Sequence, residues 1–353
     1  MAEHRKAVVL VNLGSPASCR TGDVRTFLKE FLGDPNVIDL PAWIRYPLVY
    51  GIIAPFRAPR SARLYKQLHT DRGFPLIYHS RELEKKVREQ LPRGTELFLA
   101  MRYGEPALQK LIQWMKGEGY RELLVLPLYP QFATSTTGSV VQLLREELKF
   151  HKLAEHTRII PSFHEHRDFI AAWKNKILAC EPADYDALVF SYHGIPVRQT
   201  EKGHPGASCG ALKCEQHYNE ANRDCYRAAC YHTTRSIRAA LKIAPEKTYT
   251  SFQSRFGRNW LRPFTDQTLL KLVREGKKRI LIISPAFVAD CLETEIEIGL
   301  DYRELFTKAG GEELTLVPSL NADDDWVRFI SSLISDPGTH SLKLGETDQS
   351  LFH

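Results

Sequence analysis

Four cysteines, Cys209, Cys214, Cys225 and Cys230, fall within the twenty-two residues "CGALKCEQHYNEANRDCYRAAC", while Cys19, Cys180 and Cys291 are scattered. The stretch is too polar to be core. Its two pairs share the spacing C-x4-C, with ten residues between them. Two equal pairs suit one tetrathiolate site, which zinc would satisfy. A [2Fe–2S] cluster, whose ligand runs can begin with C-x4-C, would satisfy it too. His204, His217 and His232 lie nearby, but four thiols make them unnecessary and they read as surface residues. Cys225 and Cys230 are five apart, about 140° round a helix, so one of them must sit at a helix end or in a loop. A staple between that loop and the helix after it is the expectation.

A second group is titratable. "VFSYHGIP" puts His193 just past an apolar strand, where an imidazole can take a proton or bind a metal near neutral pH; capping the strand is the plainer alternative. "SPAFVADCLETEIEIGLDYRELF" starts at another strand end and continues as a helix with Asp290 as N-cap. Glu293, Glu297 and Asp301 recur at i, i+4 and i+8, on one helical face. Such a ladder is either solvated surface or, leading away from a histidine, a path for a cation or protons. "YPQFATSTTGS" offers hydroxyls to an anion, or caps a helix through Ser135 or Thr137. "RFGRNWLRP" sets Trp260 among arginines, a pairing suited to a flat acidic ligand or to simple surface packing.

The elements that must hold these residues alternate apolar β-rich runs with amphipathic helical patterns, the mark of an α/β fold with parallel sheets. The strand candidates are "KAVVLVNLG", "ELFLAMRYG", "ELLVLPLYPQF", "TRIIPSF", "DALVFSYHG", "TYTSFQSRFG", "RILIISPAF" and "LTLVPSL". They pair in order as two similar halves: "VNLG" answers "SYHG", "MRYG" answers "QSRFG", and "YPQF" answers "SPAF". Arg102 to Pro130 spans 28 residues and Arg255 to Pro285 spans 30. We therefore expect two like α/β domains, 1–165 and 166–335, with the cysteine segment inserted at 204–232 and a poorly ordered tail at 336–353. Ligands of open parallel sheets bind beyond the strands' carboxyl ends, where Asn12, Leu13, Arg102, Tyr103, Gln131, Phe132, His193, Arg255, Phe256 and Phe287 fall. No G-x-G-x-x-G follows a strand and no G-x-x-x-x-G-K-[ST] occurs, which argues against dinucleotides and nucleoside triphosphates.

At 353 residues, 43% hydrophobic and 25% charged, the chain has room for two cores. Its charge of +6 is mild and interleaved, with no basic-aromatic array, so no nucleic acid is expected. The start, "MAEHRKAVVLVNLG", lacks a signal-peptide h-region. A reducing, cytoplasmic setting follows as an expectation, in which clustered thiols are ligands rather than disulfides. The greasy segment 41–56, "PAWIRYPLVYGIIAPF", is broken by Arg45, Pro47 and Pro55 and is too short to span a bilayer. It reads either as a core-covering helix or as an apolar lip at a pocket or membrane surface.

The series "VLVNLGSP", "STTGS", "SYHGIP", "FQSRFG…WL" and "CLETEIEI…Y", in this order over some 320 residues, resembles the ferrochelatases. That resemblance implies two Rossmann-like domains around a porphyrin cleft. It also implies insertion of Fe²⁺ into protoporphyrin IX to give protohaem, the last step of haem synthesis. It makes His193 and Glu293 the central metal-binding and proton-handling pair and Glu297 and Asp301 an acidic path toward solvent. Leu13, Arg102, Phe132, Trp260 and Phe287 become porphyrin contacts, and 41–56 becomes the lip through which many members meet a membrane. Members with an internal cysteine cluster carry [2Fe–2S], so the resemblance favours that cofactor on Cys209, Cys214, Cys225 and Cys230, with structural zinc as the alternative. Phe74 in "DRGFPL" departs from the small residue usual before this proline. The competing readings are a non-enzymatic iron–sulfur or haem sensor on the same fold, or a chelatase for coproporphyrin or cobalt.

Overall fold

The computed structural model describes residues 5–204 and 206–346. All eight apolar segments are strands. β1 (Lys6–Asn12), β2 (Thr95–Met101), β3 (Glu122–Pro127) and β4 (Thr157–Ile159) run parallel in the order β2-β1-β3-β4. β5 (Ala187–His193), β6 (Thr248–Gln253), β7 (Arg279–Ile283) and β8 (Glu313–Leu316) form a second parallel sheet in the matching order β6-β5-β7-β8. "KAVVLVN" and "ALVFSYH" are buried along nearly their whole length, as strands covered on both faces must be. The likeness reaches single bonds. The Met101 N–H donates to the Pro106 carbonyl at 2.7 Å, and the Phe252 N–H donates to the Pro263 carbonyl at 2.8 Å.

The chain divides into two compact units. One takes the residues up to Tyr129, then Thr134–Ser162 and those from Val327 on; the other takes Pro130–Ala133 and Phe163–Trp326. The first core gathers Val9, Val11, Val125 and Leu144, and the second Val189, Ile282, Ile298 and Phe306. The expected disorder at 336–353 needs correction. A short β9 (Leu342–Lys343) pairs antiparallel with β4, and Leu344 is buried in the first core. Arg158 fixes the turn by donating to the Ser341 hydroxyl and carbonyl. Residues 347–353 lie outside the described residues.

The greasy segment folds as a short helix, Ala42–Tyr46, a wide helical turn, Pro47–Ile53, and the helix Ala54–Leu68. Val49, Ala54 and Ala58 face inward, while Trp43 (77% exposed), Ile52 and Phe56 (78% exposed) face solvent. No described helix is long and apolar enough to cross a membrane.

Candidate functional site

His193 is the last residue of β5, half-buried. Its Nδ1 lies 2.7 Å from the Gly194 carbonyl. A carbonyl only accepts, so Nδ1 carries a proton and Nε2 is the nitrogen left to exchange a proton or meet a metal. Gly194 lets β6 pass close by, since a Cβ there would lie 2.7 Å from the Gln253 carbonyl. The His193 ring lies 6.3 Å from that of Phe287, which is itself half-buried.

Gln253, at the end of β6, is the strand partner of His193. Its amide oxygen accepts from Ser191 at 2.6 Å, and its amide nitrogen donates to the Glu293 carbonyl at 3.4 Å. Buried and fully engaged, Gln253 ties the histidine strand to the start of the acidic helix. The side chain lacked a signal in the sequence because its partners are 62 and 40 positions away.

The acidic helix differs from the expected one in two ways. Asp290 does not supply its capping bond: its carboxylate accepts from the Ser319 N–H, the Asn321 amide and the Thr294 hydroxyl. From Glu293 to Tyr302 the helix is wide, with i→i+5 bonding. Residue 302, rather than 301, therefore reaches Glu297. Glu297 accepts from the Ser254 N–H at 2.9 Å, from the Ser254 hydroxyl and from the Tyr302 hydroxyl at 2.8 Å. Ser254 reaches it with φ at +60°, a conformation costly outside glycine and typical of sites that need one geometry. Burial first, then the Glu297 charge, push the Tyr302 phenol up, so it stays a donor. Asp301 is exposed. Cys291 is buried, and burial first and the Glu293 charge second keep it a thiol.

Of the other expected contacts, Trp260 is half-buried against Phe256 with rings 5.4 Å apart, and it lines Gly194. Two of the three arginines around it turn elsewhere: Arg255 and Arg262 lie over the Phe264 ring, and Arg255 also pairs with Asp266. Phe132 is buried, and neighbouring Gln131 donates to Thr233 at 3.1 Å. In the first unit, half-buried Leu13 packs against the core beyond β1. Arg102 donates through Nη2 to Asp34 at 2.6 Å and through Nε to Ser139 at 2.6 Å. The same Asp34 oxygen accepts from Tyr103 and Ser139, and its other oxygen accepts from Asn36. The hydroxyls of "STTGS" likewise turn inward, Thr137 to the Pro161 carbonyl and Ser139 to Asp34. Phe74 is core, edge-on to Tyr65 and His69.

The cysteine segment corrects the expected ligand set. Cys209, Cys214, Cys225 and His204 are all buried, with ligand atoms within 4.8 Å of one another; Cys230 is not among them. Cys225 stands at the start of the helix Tyr226–Leu241, and Cys230, one turn on, faces Tyr226 and Tyr192. His204, read as a surface residue, occupies the fourth position. Hydrogen bonding from Cys225, against burial and aided by His204, pulls the Cys209 thiol down to about 5. Burial opposes the His204 imidazolium, but the Cys209 bond and charge outweigh it. The bond between Cys209 and Cys225 pushes the Cys225 thiol up, and such a pocket of three cysteines and an imidazole can bind a metal.

Within the second unit, Tyr218 stacks on His232 at 4.7 Å and meets His164 edge-on at 5.2 Å, fastening the middle of the insert to the residues around it. His164 is buried, and neither ring nitrogen has a hydrogen-bond partner among the described residues. Burial first, then the His232 charge, lower its pKa to about 3. Burial lowers His232 as well, although Glu165 opposes this. An unfolded His titrates near 6.5, so between about 6.5 and about 3 only the unfolded chain binds this proton. The His164 contribution is full above about pH 6.5 and is lost as pH falls toward about 3. Urea unfolding at pH 7 and pH 5 should show His164→Phe losing about 2 kcal/mol less than the parent. Equal losses would contradict this.

Two like parallel sheets, with a histidine, carboxylates and aromatics at the strand ends of the second, define an α/β enzyme. The family model described as Ferrochelatase matches residues 5–337. A relative named Ferrochelatase from Pseudomonas entomophila is 40% identical over 337 residues, covering 94% of this chain and 99% of its own. Relatives of the same name from Pseudomonas fluorescens and Legionella pneumophila are 39% and 37% identical, each over 94% of this chain and 98% and 99% of theirs. The chain belongs to the ferrochelatase family and is an enzyme of the lyase class.

Proposed function

We propose that the chain inserts Fe²⁺ into protoporphyrin IX, with His193 and Glu293 acting at the macrocycle. The carrying observation is Gln253, which joins the His193 strand to the Glu293 helix within one unit. Metallation replaces two pyrrole N–H protons by one Fe²⁺ and releases two H⁺. His193 Nε2 is the ring nitrogen left to take a pyrrole proton. The Glu293 carboxylate is a hard oxygen donor that can replace water on Fe²⁺. Phe287 and Trp260 supply flat apolar surface beside His193, and Phe132 of the same unit is assigned to the same ligand. Glu297, held by Ser254 and Tyr302, is an anchored acceptor, and Asp301 is the outer end of the acidic line. Anaerobic absorbance with Fe²⁺ and either protoporphyrin IX or coproporphyrin III tests the reading. Preferential metallation of coproporphyrin would displace protoporphyrin, and metallation of neither would sink the proposal.

The segment 41–56 is proposed as a peripheral membrane contact of a cytoplasmic protein. Trp43, Ile52 and Phe56 are exposed beside exposed Arg60, Arg63 and Lys66, an arrangement suited to anionic bilayers. Cosedimentation with vesicles containing phosphatidylserine should fall several-fold in Trp43→Asp/Phe56→Asp. Undiminished binding would remove the assignment.

A further inference from the structure

The geometry points to a single tetrahedral zinc ion held by His204, Cys209, Cys214 and Cys225, in place of a [2Fe–2S] cluster on four cysteines. Zinc–sulfur bonds of about 2.3 Å set two sulfurs of a tetrahedron about 3.8 Å apart, and a sulfur and an imidazole nitrogen about 3.6 Å apart. Cys209 Sγ and Cys225 Sγ are 3.7 Å apart, and His204 Nε2 lies 3.4 Å from Cys209 Sγ. All four ligand atoms fall within 4.8 Å of one another, close enough for small side-chain shifts to bring them onto one ion. A two-iron cluster shares its four ligands between two irons, so sulfurs on different irons stand farther apart than those on one. Four donors gathered this closely, one of them an imidazole in place of the fourth cysteine, suit one ion better.

The surroundings are those of a built site. The Nδ1 of His204 lies 3.0 Å from the Ala207 carbonyl, which can only accept; Nδ1 therefore carries a proton, and Nε2, 3.4 Å from Cys209 Sγ, is the nitrogen that a metal would take in exchange for any proton there. Buried Asn222 donates to Cys214 Sγ at 3.5 Å and to the His217 carbonyl at 3.0 Å, and accepts from the Asn219 N–H at 2.8 Å. Gly203 lets the two arms touch: a Cβ there would lie 2.4 Å from the Asp224 carbonyl, which precedes Cys225. Three thiolates and one imidazole, closed and buried, match structural zinc sites. Cys230 has no place in the shell because its helix carries it one turn past Cys225, toward Tyr226 and Tyr192.

The inference holds whether or not iron insertion runs at His193, and its test does not read activity. The whole chain is purified anaerobically and analysed for zinc, iron and acid-labile sulfide, alongside Cys230→Ser, Cys214→Ser and His204→Ala. One zinc per chain without sulfide is expected in the parent and in Cys230→Ser, and a loss of most of it in the other two. Replacement of the zinc by Co²⁺ should give the intense d–d bands of a tetrahedral site with thiolate charge transfer in the near ultraviolet. Cys230→Ser and the parent keep the test decisive even where the ligand variants do not fold. Iron in the site, with or without sulfide, would overturn the assignment. So would loss of the metal in Cys230→Ser, or a parent chain that takes up neither zinc nor cobalt.

Discussion

His193→Ala is expected to slow ferrous insertion by about 10²–10⁴-fold, the range for removing a positioned base, while leaving the fold intact. The ring is fixed through Nδ1 to Gly194, and its other contacts are aromatic; the alanine strands no buried charge. Glu293→Gln should produce a comparable loss for a different reason, since the amide keeps the shape but cannot offer an anionic oxygen to Fe²⁺. Added imidazole should restore part of the turnover in His193→Ala and none in Glu293→Gln. Anaerobic porphyrin absorbance gives the rate, and thermal unfolding checks the fold. A stable His193→Ala chain turning over within about threefold of the parent would remove the histidine from the chemistry.

The largest stability effect should come from Asp34→Ala. This carboxylate accepts from Arg102, Tyr103, Ser139 and Asn36, and its side chain is 3% exposed. Removing it leaves the half-buried Arg102 guanidinium without its counter-charge, a change at the lower end of the ~3–5 kcal/mol seen for broken buried pairs. The midpoint of thermal unfolding should fall by on the order of 10 °C. Replacing both partners, as Asp34→Leu/Arg102→Met, should recover much of the loss, because no charge is then left unpaired. A single variant that melts with the parent would show that the network stabilises little.

Both predictions depend on features that differ in how far the sequence reveals them. The eight strands were legible because a parallel strand covered on both faces needs an unbroken apolar run, and β1 and β5 have one. The internal repeat was legible for the same reason, as was the position of His193 where such a run ends. Asp34 was not, since Arg102, Tyr103 and Ser139 stand 68, 69 and 105 positions away and its near partner, Asn36, reads only as a turn. The acidic ladder was read with an α-helical period; i→i+5 bonding moved Tyr302 into the place expected for Asp301. The metal group was half legible. Cysteine spacing located it, but a count of thiols could not show that the helix after Cys225 carries Cys230 away, or that Gly203 brings His204 in.

If zinc is held as proposed, its four ligands lie at 204, 209, 214 and 225, so every loop between them is short and the entropy of closing it is small, growing only as the logarithm of length. During synthesis the set is complete once Cys225 has emerged. At that moment β6, β7 and β8, three of the four strands in its sheet, have yet to be made. Metal capture is thus a low-contact-order event that can come first, and the later strands would assemble on a helix whose first residue is already anchored. A shortage of zinc would then act on the newborn chain, at the stage of folding, before any catalytic site exists.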